Sequence, residues 1–423
     1  MPPADSNRGS RSDRRRPSRR EPPHVDHAVI GRWYRGSLPP APPTSITGSA
    51  GRIAVLDVLR GIAILGTFAS NAWLFAALGG PAAVLTTGLP DPGPVEAGLR
   101  LLSNGKFLAL LTLLFGIGIE LQYRSALRRG RSWPGRYPVR AVVLFVEGLA
   151  HFVLVFEFDV LMGYAVAAPV VAYLVGRSTR AIRAVIVTVG SFFALAILAL
   201  TVSLLAVPDG PPPPPADPAA TASWTAQVAT RISNPVLFRS ELVLIVPSSI
   251  VLFLLGSQLL RAGVFDDSTA GARIRRRLMG LGFGMGLPLN AVTAFAGPDW
   301  FLVDRYLLPP LVALGLLGLV ADLVLRIRQG PVQRGLAAVG RTALSCYVLQ
   351  NALAGVLCYE WGLGLAARFA DARPWWVVGL WMVMSLALIG LATWWLRRFD
   401  RGPLELVAAR IYQPSTRVRA RPA

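Results

Sequence analysis

The chain has 423 residues, 53% hydrophobic and 16% charged, with mean hydropathy +0.50. Soluble domains carry about 25% charged residues, so this chain has too few charges to cover a soluble surface, and a soluble cytosolic enzyme is excluded. Forty-three basic against 23 acidic residues give +20, and Lys106 is the only lysine. The arginines stand in short runs between long apolar stretches, which marks membrane topology rather than a nucleic-acid surface. With two cysteines in the chain, a disulfide scaffold is excluded too. Cys346 and Cys358 share one apolar segment and would lie about 18 Å apart on a helix, out of disulfide reach. There is no CxxC and no Cys/His metal spacing, and no metal is expected.

Residues 1–51 are a separate region, and its first 27 residues are polar, rich in arginine and proline and almost free of large apolar residues. Such a segment cannot offset its chain entropy by burial and reads as a disordered cytoplasmic tail, with attraction to anionic lipid heads as a sharper reading. Arg14, Arg15, Arg16, Arg19 and Arg20 imitate a twin-arginine signal, but the first apolar run begins only at Ile53, so no cleaved signal peptide is expected. Ten apolar segments follow, at about 53–79, 103–122, 139–157, 160–177, 182–206, 241–261, 278–297, 305–325, 341–363 and 374–396. They predict an all-α, polytopic integral membrane protein whose transmembrane domain spans 52–412, followed by a basic tail at 413–423. With ten spans and the amino terminus in the cytoplasm, Arg124 to Arg136, Arg177 to Arg183, Arg273 to Arg277, Arg326 to Arg334 and Arg397 to Arg421 all fall on one side. That predicts both termini in the cytoplasm and a multi-pass protein of the inner (plasma) membrane. The outer loop 208–240 contains DGPPPPPADP, a stiff polyproline spacer. The lipid bilayer is the expected partner, nucleic acid is not, and a homo-oligomer remains open.

Ionisable residues inside spans are costly and mark function by default. In the first span Asp57 and Arg60 share a helical face toward the cytoplasm and can pair; Asn71 lies about 16 Å deeper by helical rise. Lys106 opens the second span from the outer side, where it either holds an anionic group or snorkels. In the third span Glu147 and His151 are four residues apart, and Asp159 and Tyr164 follow at the outer turn. A carboxylate beside an imidazole orients it for proton transfer. His24 and His27 lie in the tail, so His151 is the one candidate imidazole base. Glu120, Gln258, Asn290, Gln350 and Asn351 complete the polar set at membrane depth, and Arg341 begins the ninth span. Residues 402–412 read as a short amphipathic stretch along the inner surface. Each of these residues also has a plain structural reading, as an interhelical hydrogen bond or ion pair.

Several separated segments together carry a resemblance: LDVLRGIAILGTFASN (56–71), KFLALLTLLFGIGIEL (106–121), GLAHFVLVFEFDVLMGYA (148–165), GRTALSCYVLQN (340–351) and RGPLE (401–405). They resemble the YeiB-like family of bacterial membrane proteins with a DUF418 carboxyl-terminal domain, here about 240–412. The first span is also distantly similar to transmembrane acyltransferases, in which an arginine and a histidine are separated by ten residues. Arg60 matches the arginine, but Asn71 stands at the histidine position, as in the heparan-glucosaminide acetyltransferase type. The glycine-rich segment and the later histidine of that type are missing, so His151 would have to serve from another span.

The acyltransferase resemblance implies transfer from a cytosolic acyl-CoA to a small-molecule, glycan or lipid acceptor at the outer side. His151 is then the general base, Glu147 or Asp159 orients it, and Asn71 donates to the oxyanion. Asp57, Arg60, Lys106, Tyr164, Arg341, Gln350 and Asn351 are the candidate substrate-binding residues, with Arg60 or Arg341 near the phosphates. The alternative is a transporter or exporter of a small molecule or lipid, proton-coupled through His151, Glu147 and Asp159. A non-catalytic scaffold is the third reading.

Overall fold

The computed structural model describes residues 46–89, 92–206 and 218–412, and among these there is no β-strand. The tail up to residue 45, the proline run and residues 413–423 lie outside the described residues. The remainder, from Ile46 on, forms one compact unit. Among the described residues, eight helical stretches are long and apolar enough to cross a membrane by length and composition, and two shorter apolar helices, at Leu161–Leu174 and Ala343–Cys358, occupy the other two predicted segments. The chain is an all-helical polytopic membrane protein.

Helix α1 (Ile46–Phe75) is central, with 72% of its apolar window buried. A turn through Gly79 leads to α2 (Gly80–Thr87), then α3 (Pro94–Ser103) and α4 (Lys106–Arg128). Helices α5 (Tyr137–Leu154) and α6 (Leu161–Leu174) form a tight hairpin. Helix α7 (Thr179–Leu205) lies at the periphery: 17% of its window is buried, and Val187, Phe192 and Leu195 face outward. An outer face this apolar suits hydrocarbon rather than water.

The polyproline spacer read in the loop 208–240 lies outside the described residues, but the rest of that loop is helical. Residues 218–240 fold into a short 3₁₀ turn, then α8 (Trp224–Ser233) and α9 (Pro235–Arg239). Ser223 caps α8 by accepting from the Ala226 amide at 3.3 Å, and Phe238 and Arg231 are buried. The chain continues through α10 (Leu242–Arg261), α11 (Thr269–Leu281), α12 (Leu287–Phe295) and α13 (Pro309–Arg326), with π-helical turns at Gly282–Gly286 and Val303–Leu307. Helices α14 (Pro331–Arg341), α15 (Ala343–Cys358), α16 (Leu365–Arg368), α17 (Trp375–Trp395) and α18 (Pro403–Tyr412) complete it.

Two crossings set the frame, and both need residues without side chains. A Cβ on Gly61 would lie 2.0 Å from the Leu336 carbonyl oxygen, and one on Gly340 would lie 1.8 Å from that of Asp57, so α1 and α14 touch backbone to backbone. Gly116 of α4 and Gly256 of α10 do the same at 2.0 and 2.2 Å from Phe253 O and Leu113 O. Close approach of this kind replaces the hydrophobic drive that lipid removes.

The terminal helix does more than lie along a surface. Thr342 offers no side-chain cap to α15. Glu405 of α18 supplies one from outside: Oε1 accepts from the amides of Leu344 (2.8 Å) and Ser345 (3.3 Å), and Oε2 from the Ser345 hydroxyl (2.5 Å). A carboxylate is favourable at a helix amino terminus because it meets unpaired N–H groups and the positive end of the dipole.

Candidate functional site

The site grows from the α5–α6 hairpin. His151 stands in the last turn of α5 and Asp159 just ahead of α6. Asp159 Oδ2 accepts from the Met162 amide at 3.1 Å, which caps the first turn of α6, while Oδ1 lies 3.0 Å from His151 Nδ1. Gly148, one turn before His151, makes room: a Cβ there would sit 2.7 Å from Met162 N and 2.8 Å from Asp159 Oδ2. The His151 ring rests against Tyr347 of α15, with centroids 5.0 Å apart.

Two carboxamides continue the line. Asn351 Nδ2 of α15 lies 3.2 Å from His151 Nε2, and Asn71 Nδ2 of α1 donates to Asn351 Oδ1 at 3.1 Å. The polarity of the chain follows. With the Asn351 amide N–H aimed at Nε2, the arrangement fits the tautomer that keeps its lone pair on Nε2 and its proton on Nδ1, facing the Asp159 carboxylate. Asn71, Asn351, His151 and Asp159 are 8%, 0%, 3% and 1% exposed, so bulk water does not compete for these bonds.

The expected site residues separate into groups. Asn71 and His151 do not meet directly; Asn351 bridges them. Glu147 is only half-buried, on the helix that α18 packs against, and the carboxylate that bonds His151 is Asp159. Tyr164 bonds Thr112 Oγ1 at 2.5 Å inside the apolar core. Gln350 is fully buried, with neither amide atom bonded. Asp57 and Arg60 form an ion pair at 3.2 Å. Arg341 donates to the Asp400 carbonyl at 3.1 Å, tying α14 to the chain ahead of α18.

Lys106 belongs to a second buried cluster. Its Nζ donates to Asn104 O at 3.2 Å. Close by, Asp304 accepts from the side-chain amides of Asn104 and Asn290, each at 2.5 Å, and Arg305 donates to Asn104 Oδ1 at 3.1 Å. Ser70, next to Asn71, donates to Ser103 O at 2.7 Å, so the two clusters flank α1 at similar depth.

Sequence reasoning did not single out Tyr347, Arg231 or Arg239. Arg231 is 1% exposed and bonds Glu157 (Nη2 to Oε1, 2.9 Å), and Arg239 donates to the carbonyls of Asp159 (3.1 Å) and Glu157. The one available signal was that both arginines fall in the 208–240 loop, on the side that the arginine pattern predicts to be poor in arginine.

Fold and site together define a polytopic helical membrane protein with a histidine–aspartate pair enclosed in its bundle. Residues 259–412 match the family described as "Protein of unknown function (DUF418)". The chain is 27% identical over 382 residues to "Uncharacterized protein YeiB" of Escherichia coli (strain K12), covering 84% of this chain and 94% of that protein. It is 22% identical over 385 residues to "Uncharacterized protein YxaH" of Bacillus subtilis (strain 168), covering 84% and 92%. No solved structure matches it. The chain is thus similar to the YeiB-like proteins over most of its length, and its carboxyl-terminal part matches the DUF418 family from residue 259 rather than from near 240. Asn351 lies within that part, whereas Asn71, His151 and Asp159 precede it.

Proposed function

We propose that this protein is a membrane-embedded acyltransferase, moving an acyl group from a cytosolic acyl-CoA to an acceptor hydroxyl or amine near the outer side of the inner membrane. Its arginine-rich ends and both termini then face the cytoplasm. The observation that carries the reading is the His151–Asp159 pair, in which Nδ1 is bound by a carboxylate and Nε2 presents its lone pair to an exchangeable amide, at 3.0 and 3.2 Å.

The acceptor O–H takes the place of Asn351 Nδ2 at His151 Nε2. As the acceptor oxygen attacks the thioester carbonyl, His151 removes its proton, and Asp159 stabilises the imidazolium. The C–S bond then breaks, and His151 returns the proton to the departing thiolate. The displaced N–H of Asn351, backed by Asn71, is the donor available to the transient oxyanion. Arg60, with its side chain 31% exposed, is the group at the arginine-rich end suited to the coenzyme phosphates. It lies about 16 Å from Asn71 by helical rise, a length the pantetheine arm must cross.

The test uses the purified full chain in proteoliposomes with acyl-labelled CoA and a bacterial membrane extract as acceptor. Label should move to an extractable acceptor, and His151→Ala and Asp159→Asn should lose that transfer while inserting normally. Full transfer by His151→Ala overturns the assignment. The second reading, a proton-coupled exporter, draws on the enclosure of the same relay, since a line of exchangeable groups sealed from water suits proton passage. Substrate accumulation in proteoliposomes without acyl-CoA would favour it.

A further inference from the structure

The turn between α5 and α6 carries Asp159, which caps α6 through the Met162 amide, but several of the turn's carbonyls are held from outside. The α5 helix ends at Leu154 and α6 starts at Leu161, leaving a row of backbone carbonyls without helical partners. Two arginines from the 218–240 segment take up that row. Arg231 donates from Nε to Glu157 Oε1 at 3.0 Å, from Nη1 to Val153 O at 3.1 Å and from Nη2 to Val155 O at 3.4 Å. Arg239 donates from Nη1 to Asp159 O at 3.1 Å and from Nη2 to Glu157 O. Its guanidinium also lies over the Phe152 ring, 4.0 Å from the centroid, beside His151. Trp224 adds a bond from Nε1 to Leu154 O at 2.9 Å.

The carbonyls of residues 153, 154, 155, 157 and 159 are thus all held by side chains of one distant segment. The planar guanidinium, with several donors in a fixed fork, spans neighbouring carbonyls in a way an ammonium does not. The backbone so held is the one that aims Asp159 Oδ1 at His151 Nδ1. We infer that Arg231 and Arg239 are positioning residues: they latch the 155–160 turn and thereby keep His151 in the tautomer with its proton on Nδ1 and its lone pair on Nε2. For its catalytic consequence this rests on the reading of His151 as a general base; the latch itself does not.

The experiment is ¹⁵N spectroscopy of the full chain with ¹⁵N-labelled histidine. His24→Gln and His27→Gln remove the two tail histidines, so that the remaining signals belong to His151. The unaltered site should show a protonated Nδ1 and an unprotonated Nε2. Arg231→Gln and Arg239→Gln should shift His151 toward a mixture of tautomers, at least halving the Nδ1–H population. Arg239→Lys, which reaches one carbonyl at most, should restore it only partly. Retention of the original pattern in both glutamine variants overturns the inference. A second measurement needs no arginine variant: in D₂O the His151 Nδ1 proton should exchange as slowly as the amides of Tyr164 and Ala165 in the first turns of α6. Rapid exchange of that proton beside protected amides overturns it as well. Neither readout uses acyl-CoA. Failure of acyl transfer with the tautomer pattern intact therefore removes the proposed activity and leaves the latch standing.

Discussion

Glu120 and His151 are 2% and 3% exposed, yet one is surrounded by charge and the other by neutral amides and a single carboxylate. Glu120 accepts from Arg124 at 2.8 Å, Ser257 at 2.9 Å and Arg261 at 2.8 Å, and Arg261 continues to the Val175 carbonyl at 2.5 Å. Both carboxylate oxygens are used, and the group staples α4, α6 and α10 together. Around His151 only Asp159 carries charge among the bonded groups, and Nε2 is covered by a neutral amide, the one that the acceptor would displace on the proposed activity. A buried charge with full partners is a fastener, because removing either side strands the other. A buried base with a weakly held lone pair keeps a proton-transfer function available. Burial alone does not distinguish the two.

The largest effect that would sharpen this contrast is His151→Ala. On the proposed activity it should lower acyl transfer by about 10²–10⁴-fold, the usual contribution of a positioned base. Its thermal midpoint in detergent should fall too, because the buried Asp159 and Asn351 each lose a partner, so transfer is compared per folded molecule. Glu120→Gln should differ in activity, destabilising the bundle by about 3 kcal/mol with little change in transfer per folded molecule. That is the low end for a buried pair, because the Arg124 and Arg261 side chains are 36% and 23% exposed. Denaturant titration in detergent would measure it.

Gly148→Ala tests whether the hairpin and the base are linked. The added methyl meets Met162 N and Asp159 Oδ2, so about 1–3 kcal/mol of overpacking should come with lost transfer, read from stability and rate in one preparation. Equal activity with lower stability would separate packing from the base. The smallest effect is expected for Glu405→Ala, which removes the borrowed cap of α15 and should cost about 1 kcal/mol in the same titration. It acts at the first turn of α15, about two turns before Asn351.

Much of the fold was legible in the chain. Each of the ten apolar segments coincides with a helix or a pair of helices, because long apolar runs between arginines have few other solutions in lipid. The exceptions are instructive. Residues 218–240 read as a loop from composition, but helices begin at Trp224 and Pro235, and the arginines that pin them find their acceptors on the α5–α6 hairpin. His151 and Asp159 were legible as a pair because eight residues of one hairpin separate them. Asn351 stood among the candidate substrate-binding residues with no bond assigned, and Glu147 was weighed equally with Asp159. Nothing along the chain says which of two nearby carboxylates a hairpin will turn toward the ring.

Hydropathy and arginine spacing determined the class of molecule, the number and order of apolar segments and the single candidate imidazole. These are properties of composition and local periodicity, which solvent partition reads without reference to neighbours. Only the packed bundle decided that Asn351 bridges Asn71 and His151, that Asp159 holds the ring, and that Arg231 and Arg239 bind the turn beneath it. Those choices depend on where helices from distant parts of the chain cross, and the crossings are set by glycines such as Gly61, Gly340 and Gly148, whose significance appears only when a second backbone lies against them.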